Sequence, residues 1–448
     1  MEDMWLEVGS LIDSFSLRGI PKVKEIISVF EDYGLDCEVV GYGWCGDPIY
    51  MFRYGNGLKR ILLVGFVDPD EPTGALALQT LITKVFVQEP SLLNEYTWYF
   101  IPVADPCGAK LNEEWFREPY NTRLYLLERF KVKVIDWKLP GSCNGYVFNE
   151  PTPEALAVKK AIDMVRPYLV VPLHNNDFSG LYFFLSRNIP KLIRDLKNVA
   201  NELGVPIHRG EPEASYLEVF EEGFYREPTM CDEYHNCVKY SSDPSACIEG
   251  LGETIHGYAR KINPNVFSIV CETPYIYSKI LEDITPSGNR LRNLYLDMLN
   301  IVMPIASYIE SIVKKLIPYV NKECPYLWEA EEYLLSWSNR LELLRKRVTV
   351  DKRYEKEASR AEEFDIIVVK GLWSTLLKLG IALRFLNRCS KSIPSIDIEK
   401  RVNEIVDVFE DLYDKLHHYR IEYIPLEKQI AMQLYTILLV TRYFVTSS

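Results

Sequence analysis

Four apolar runs in this sequence end in residues that could do chemistry. RILLVGF (60–66) leads into Val67-Asp68-Pro69-Asp70-Glu71-Pro72-Thr73-Gly74. YTWYFIPVA (96–104) leads into Asp105-Pro106-Cys107-Gly108. YLVVPL (168–173) is followed by His174-Asn175-Asn176-Asp177, and NVFSIV (265–270) by Cys271-Glu272-Thr273-Pro274. Two carboxylates three residues apart, a histidine and a further glutamate are the parts of a metal-assisted hydrolase site. Each part also has a plainer reading. Asp68 to Glu71 resembles a turn with an acidic first helical turn, which the helix dipole favours. His174 could be a hydrogen-bonded structural histidine. Glu272 is harder to dismiss, because a carboxylate after an apolar strand is costly to bury unpaired.

Such residues converge only if the apolar runs are strands of one sheet, since open α/β sheets bind ligands beyond the carboxyl ends of their strands. The runs are rich in β-branched and aromatic residues, as buried strands are. Between them lie helical patterns: GALALQTLITKVF, PEALAVKKAIDMV and IPKLIRDLKNVANELG. This alternation predicts an α/β fold with a mixed, largely parallel sheet sandwiched by helices. VGYGWCGDPIYMFRYGNG reads as an antiparallel edge hairpin. After about residue 285 the strands give way to amphipathic helical segments. The expected organisation is an α/β domain over 1–285 and an α-helical extension over 286–448, packed on the first domain or on a partner, a second copy included.

In order and spacing these segments resemble the zinc carboxypeptidase family of the carboxypeptidase A type, over roughly residues 35–285. Gly65-Phe66-Val67-Asp68-Pro69-Asp70-Glu71-Pro72-Thr73-Gly74 resembles the family's G-x-x-H-x-x-E-P-x-G. Ile101-Pro102-Val103-Ala104-Asp105-Pro106-Cys107-Gly108 is similar to its I-P-x-x-N-P-D-G. Pro151-Thr152-Pro153-Glu154-Ala155-Leu156 is similar to its P-E-T-x-A-L helix start. The resemblance implies a metal site of Asp68, Glu71 and His174 holding one zinc per chain, with Glu272 as general base. The substrate would be a peptide cut at its C-terminal bond, or an N-acyl amino acid if the chain is a deacylase. Asp68 stands where the family has its first histidine. A second carboxylate would neutralise the ion, acidify its water less, and make manganese more competitive. The family's D-x-N-R carboxylate-binding motif is not recognisable here. Arg117 and Arg123 are the nearest candidates for the substrate carboxylate, Arg209 is a further one, and Tyr258 the candidate substrate tyrosine. These departures favour a second expectation, a catalytically degenerate relative that uses the cleft as a binding module.

The formal net charge is -12, which excludes a general polyanion binder. The N-terminus carries no signal-peptide pattern, and no run of about 18 uncharged apolar residues occurs, so no membrane span is expected. That reading places the chain in the cytoplasm. Ten cysteines form no C-x-x-C pair, and most are expected free and buried. Only four glutamines occur against abundant Glu, Lys and Ile, a bias that fits a thermophile, where intracellular disulfides are an allowed exception. Cys231, Cys237 and Cys247 cluster in a loop-like stretch that could hold one bridge.

Overall fold

The computed structural model describes residues 19–214, 216–240, 243, 248–390 and 397–445. The N-terminal segment and Cys247 lie outside the described residues. Fourteen strands are described. Strands β1 (Asp36–Tyr42), β2 (Pro48–Gly55), β3 (Lys59–Val64) and β4 (Tyr96–Ile101) open the chain, followed by a small hairpin, β5 (Gly141–Cys143) and β6 (Tyr146–Phe148). Next come β7 (Leu169–Phe178), β8 (Tyr182–Leu185), β9 (Val219–Glu221), β10 (Phe224–Arg226) and β11 (Phe267–Tyr277). The last are β12 (Pro286–Arg290), β13 (Glu357–Ser359) and β14 (Glu422–Tyr423).

Ten of these strands form one mixed sheet in the order β1-β2-β4-β3-β7-β11-β8-β10-β9, with β14 added to β11. Its centre is parallel: β3 pairs in parallel with β4 and β7, and β7 with β11. The β1–β2 hairpin is antiparallel and lies at one edge, as its glycine-containing turn implies. The central strands are apolar on both faces because helices cover both. Pro153–Val165 and Ile255–Ile262 pack on one side; Thr73–Thr80 and Pro190–Leu203 pack on the other. Each predicted strand and helix of this part is present.

The second half departs from the expected boundary. The last helix, Leu426–Val445, is not part of an appended bundle. It packs on the helices Thr73–Thr80 and Pro190–Leu203 and on β11, so it completes the helical layer of the sheet. Its buried amides reach into the strands. Gln433 Nε2 donates to the carbonyls of His174 (2.5 Å) and Cys271 (3.0 Å), and Gln429 Oε1 accepts from Asn175 Nδ2 (3.2 Å). The helices between Leu291 and Leu416 are therefore an excursion between β11 and the returning β14 and last helix. Two stretches of that excursion, Leu291–Tyr319 and Arg360–Cys389, are long and apolar enough to cross a membrane by length and composition. Their most apolar windows are 44% and 61% buried inside the protein.

Cysteine use also differs from the expectation of mostly free thiols. Cys45–Cys107, Cys143–Cys231 and Cys324–Cys389 are disulfides, and among the described residues only Cys37 and Cys271 are free. Cys231 therefore bridges outside its local cluster. Cys324–Cys389 closes a 65-residue loop within the helical excursion. Loop-closure entropy at that length amounts to about 4 kcal/mol. Cys324→Ala is expected to lose up to about that much in urea unfolding, and reductant should weaken the parent protein but not this variant's excursion further.

Candidate functional site

The Asp68 loop leaves β3 through a strained turn. Phe66 is buried with φ of 48°, a left-handed conformation that a bulky side chain holds only under constraint. The chain then runs through Asp68, Asp70 and Glu71 into the helix Thr73–Thr80. Gly74 has no side-chain alternative: a Cβ there would lie 2.4 Å from Leu173 Cβ, so the helix and β7 touch at this point. Register does the rest. Glu272 of β11 pairs with His174 of β7 on the neighbouring strand. Asp68, Glu71, His174 and Glu272 all line one cavity of about 600 Å³ between the sheet and the helical excursion.

The structure brings together the three residues expected to ligate a metal. One ligand atom of each lies within 4.8 Å of the others. It also brings a residue that was not expected. Lys131 Nζ lies 2.7 Å from Asp68 Oδ2 and 2.8 Å from Glu71 Oε1, with Asp70 Oδ1 at 3.9 Å. Burial opposes the lysine's charge, but Asp68, Asp70 and Glu71 outweigh it and hold its pKa well above the ordinary value. Burial likewise opposes ionisation of Asp68, yet Lys131, His174 and Lys133 outweigh it and hold that carboxyl well below the usual range. Glu71 is raised by burial, with Lys131 and His174 acting against the rise.

His174 is held from both ring nitrogens. Nδ1 lies 2.7 Å from Glu71 Oε2 and Nε2 lies 3.3 Å from Asp136 Oδ2. Burial disfavours its charge, but Glu71 and Asp136 outweigh it and raise its pKa well above the ordinary value. This arrangement does not fit zinc. A histidine ligates in its neutral form, and a raised pKa works against that form. Two ligands of one tetrahedral ion with bonds of ~2.0 Å stand ~3.3 Å apart, not at hydrogen-bond distance. The cation that satisfies Asp68 and Glu71 is already an ammonium.

Neighbouring residues fix this geometry. Asn112 receives the Phe130 N–H and donates to the carbonyls of Pro69 (3.0 Å) and Phe130 (2.9 Å), tying the Asp68 loop to the segment that carries Lys131. Arg129 Nε donates to Asp70 Oδ2 at 2.6 Å, and its other end faces Asp177 at 3.4 Å. From the helical excursion, Glu329 accepts from the Lys131 backbone N–H (3.1 Å) and is itself paired with the buried Arg384. Asn175 donates to Thr273 and accepts from Thr73, linking β7, β11 and the helix start. Arg129 and Lys131 escaped the sequence reading because they lie in no strand or helix. The available signal was the alternation Arg129-Phe130-Lys131-Val132-Lys133-Val134, in which Phe130, Val132 and Val134 are buried.

Glu272 is half-buried and makes no side-chain hydrogen bond among the described residues. Burial raises its pKa well above the usual carboxylate range, and Glu71 and Glu213 add to this while His174 opposes it. The residues expected at the substrate are placed elsewhere. The Arg117 side chain is 69% exposed beside Glu114. Arg123 pairs with Glu410 at 2.6 Å on the outer surface, and Arg209 with Glu222 at 3.2 Å. Tyr258 donates to Asp163 at 2.9 Å in a helix-to-helix contact. None of the four lines the cavity. Sequence proximity to the motifs suggested them, but surface carboxylates hold three and a packing contact holds the fourth.

No family model matches the chain, and no curated protein matches it. Over a little more than half its length it is similar to several solved structures. One is the carboxypeptidase A of Helicoverpa armigera, at 12% identity and a TM-score of 0.37, covering 59% of this chain and 67% of that one. Another is a metallo-carboxypeptidase of Pseudomonas aeruginosa, at 15% and 0.34, covering 57% and 60%. A third is bovine thrombin-activatable fibrinolysis inhibitor, solved with tick carboxypeptidase inhibitor, at 13% and 0.34, covering 56% and 86%.

Proposed function

We propose that this chain is a ligand-binding protein in which an internal lysine stands where a metal-dependent hydrolase would hold its ion. One observation carries the reading: the Lys131 ammonium lies 2.7 Å from Asp68 and 2.8 Å from Glu71, in the middle of the candidate ligand group. A second carboxylate in place of a histidine leaves the group with excess negative charge, and the lysine neutralises it without an ion. Both ring nitrogens of His174 are engaged by carboxylates, Nδ1 by Glu71 and Nε2 by Asp136. The cavity is large enough for a small peptide or an acylated amino acid, in the size range of ligand pockets generally. Elemental analysis of the purified protein, after loading with zinc or manganese and dialysis, tests this directly. The expected content is far below one ion per chain. About one tightly held zinc per chain would overturn the proposal.

A second reading, a metal-dependent carboxypeptidase or deacylase, is favoured by Glu272. That carboxyl lies opposite His174 in register, lines the same cavity and has no internal partner, as a general base needs. It requires Lys131 to withdraw from Asp68 and Glu71 so that an ion can enter. Its test is hydrolysis of peptides with free and blocked C-termini and of N-acyl amino acids, with Glu272→Gln as control. The first reading expects no turnover by either protein. Activity that falls at least a hundredfold in Glu272→Gln would establish the second, since general bases contribute about 10²–10⁴-fold.

A further inference from the structure

The wall of the cavity contributed by the helical excursion has a cation with no counter-ion. Lys378, on the helix Ser374–Arg384, lines the cavity with Ser374, Leu377 and Ile381. Its Nζ donates to Ser374 Oγ at 2.6 Å and lies 3.4 Å from the Ser374 carbonyl. Among the described residues no carboxylate comes within ion-pair distance of it. Its Nζ also lies over the Trp337 ring, 5.3 Å from the centroid. The charged groups that act on it are Arg340, Arg129 and Asp177. Arg129 is already held by Asp70, and Asp177 already faces Arg129 and accepts from the Tyr125 hydroxyl. Two further donors on the same wall, the Tyr333 hydroxyl and the Trp373 indole N–H, are buried without an acceptor. Of the other lysines that line the cavity, Lys131 is satisfied by carboxylates and Lys370 by Asp365 at 3.1 Å, while Lys133 has no ion pair among the described residues and faces the Trp137 ring at 6.0 Å.

Lys378 is half-buried, and an ammonium shielded from water is costly without an anion. Here burial, Arg340 and Arg129 bring its pKa down to about 8, so the lysine is still mostly charged at neutral pH but uncompensated. Asp68 and Glu71, already paired with Lys131, and Glu272 line the same cavity.

We infer that Lys378 anchors an oxyanion subsite, built by the helical excursion, that takes the carboxylate or phosphoryl group of a small organic ligand. This rests on the reading of the cavity as a binding site, and it assigns to Lys378 the anion-holding role that sequence proximity had given to Arg117 and Arg123.

The test is calorimetric titration of the full chain with three probes: N-benzoylglycine, its neutral amide, and phenyl phosphate. The wild type is expected to bind at least one of the two anions about tenfold or more tightly than the amide, the gain of one charge-assisted hydrogen bond. Preference between the two anions identifies carboxylate or phosphoryl as the ligand group. Lys378→Met should lose that discrimination while leaving amide binding unchanged, and Lys378→Arg should restore most of it. Anion binding unchanged in Lys378→Met, equal affinity of the wild type for anion and amide, or no binding of either anion would each overturn the inference. Metal content is read separately. A protein that holds zinc yet discriminates through Lys378 would sink the proposed metal-free function and keep this subsite. A metal-free protein indifferent to Lys378 would do the reverse.

Discussion

Replacing Lys131 with methionine is expected to destabilise the protein by about 3–5 kcal/mol at neutral pH, the usual cost of removing one partner from a buried charge cluster. The lysine is 17% exposed, and its partners Asp68, Asp70 and Glu71 are more buried still. Methionine fills a similar volume, so the loss would be electrostatic, not a cavity effect. The pH dependence has a definite sign. Asp68 is held below its ordinary pKa by Lys131, so its contribution is present above the unfolded value of ~3.9 and disappears as pH falls through the depressed folded value. The gap between wild type and variant should therefore be full at pH 7 and shrink in acid. The substitution should also create what the wild type lacks. With the ammonium gone, Asp68 and Glu71 become a vacant pair of oxygen donors, and a divalent ion that binds only the folded state stabilises it by mass action, about 2.7 kcal/mol at a hundred times its Kd. Urea unfolding with chelator and with added manganese or zinc reads both effects. Metal should rescue Lys131→Met and leave the wild type unmoved. A variant as stable as the wild type in chelator would show that the lysine is not the counter-ion of this group.

The second large effect concerns a carboxyl pair outside the cavity. Asp105 caps the helix Pro106–Phe116 through Oδ1, which accepts from the Gly108 N–H at 2.8 Å. Its Oδ2 is buried without a partner, and so is Glu154 Oε2; the other Glu154 oxygen accepts from the Trp44 N–H at 2.7 Å. A carboxylate oxygen of one lies within 4.8 Å of one of the other. Burial, with Glu154 adding repulsion, pushes the Asp105 pKa up to about 8. A carboxyl raised in the folded state is neutral in both states in acid and imposes no penalty there. As pH rises from ~4 towards ~8 the unfolded chain ionises and the folded one does not, so stability falls across that window. The shift sets a ceiling of roughly 6 kcal/mol on the loss. Asp105→Asn removes the titration, keeps an oxygen for the Gly108 N–H and supplies an N–H to Glu154. Urea unfolding at pH 5 and pH 9 should show a much smaller loss for the variant than for the wild type, with the variant more stable at pH 9 by several kcal/mol. Parallel losses in the two proteins would remove Asp105 from the explanation.

Much of this site was legible in the residues themselves. Strand-forming runs announce themselves by β-branched and aromatic density. Residues at the end of an apolar run can be read for what their side chains could do, which grouped Asp68, Glu71, His174 and Glu272; the first two lie in the loop after β3, while His174 and Glu272 lie within β7 and β11, which run on to Phe178 and Tyr277. Register then made them neighbours: β7 and β11 are parallel, so His174 and Glu272 share a face. The hairpin and the helix Pro153–Val165 were equally local, one from its turn residues, the other from its helical apolar pattern.

What local pattern could not decide was which distant charge would reach those carboxylates. Lys131 is 63 residues from Asp68 by number, in an extended segment with no periodic element to place it. It arrives because Asn112 binds Phe130 and Glu329 binds the Lys131 N–H. The same holds for the last helix, whose apolar pattern was visible but whose return to the sheet depends on Gln429 and Gln433 meeting strand groups more than 150 residues away. Arg117 and Arg123 were near the motifs in sequence and lie outside the cavity in space. Sequence alone determined the strands, their loops and the types of group at the sheet edge, because those depend on neighbours along the chain. The tertiary structure decided which cation those groups hold, because an ammonium and a metal ion satisfy the same carboxylates, and only packing determines which of them is there.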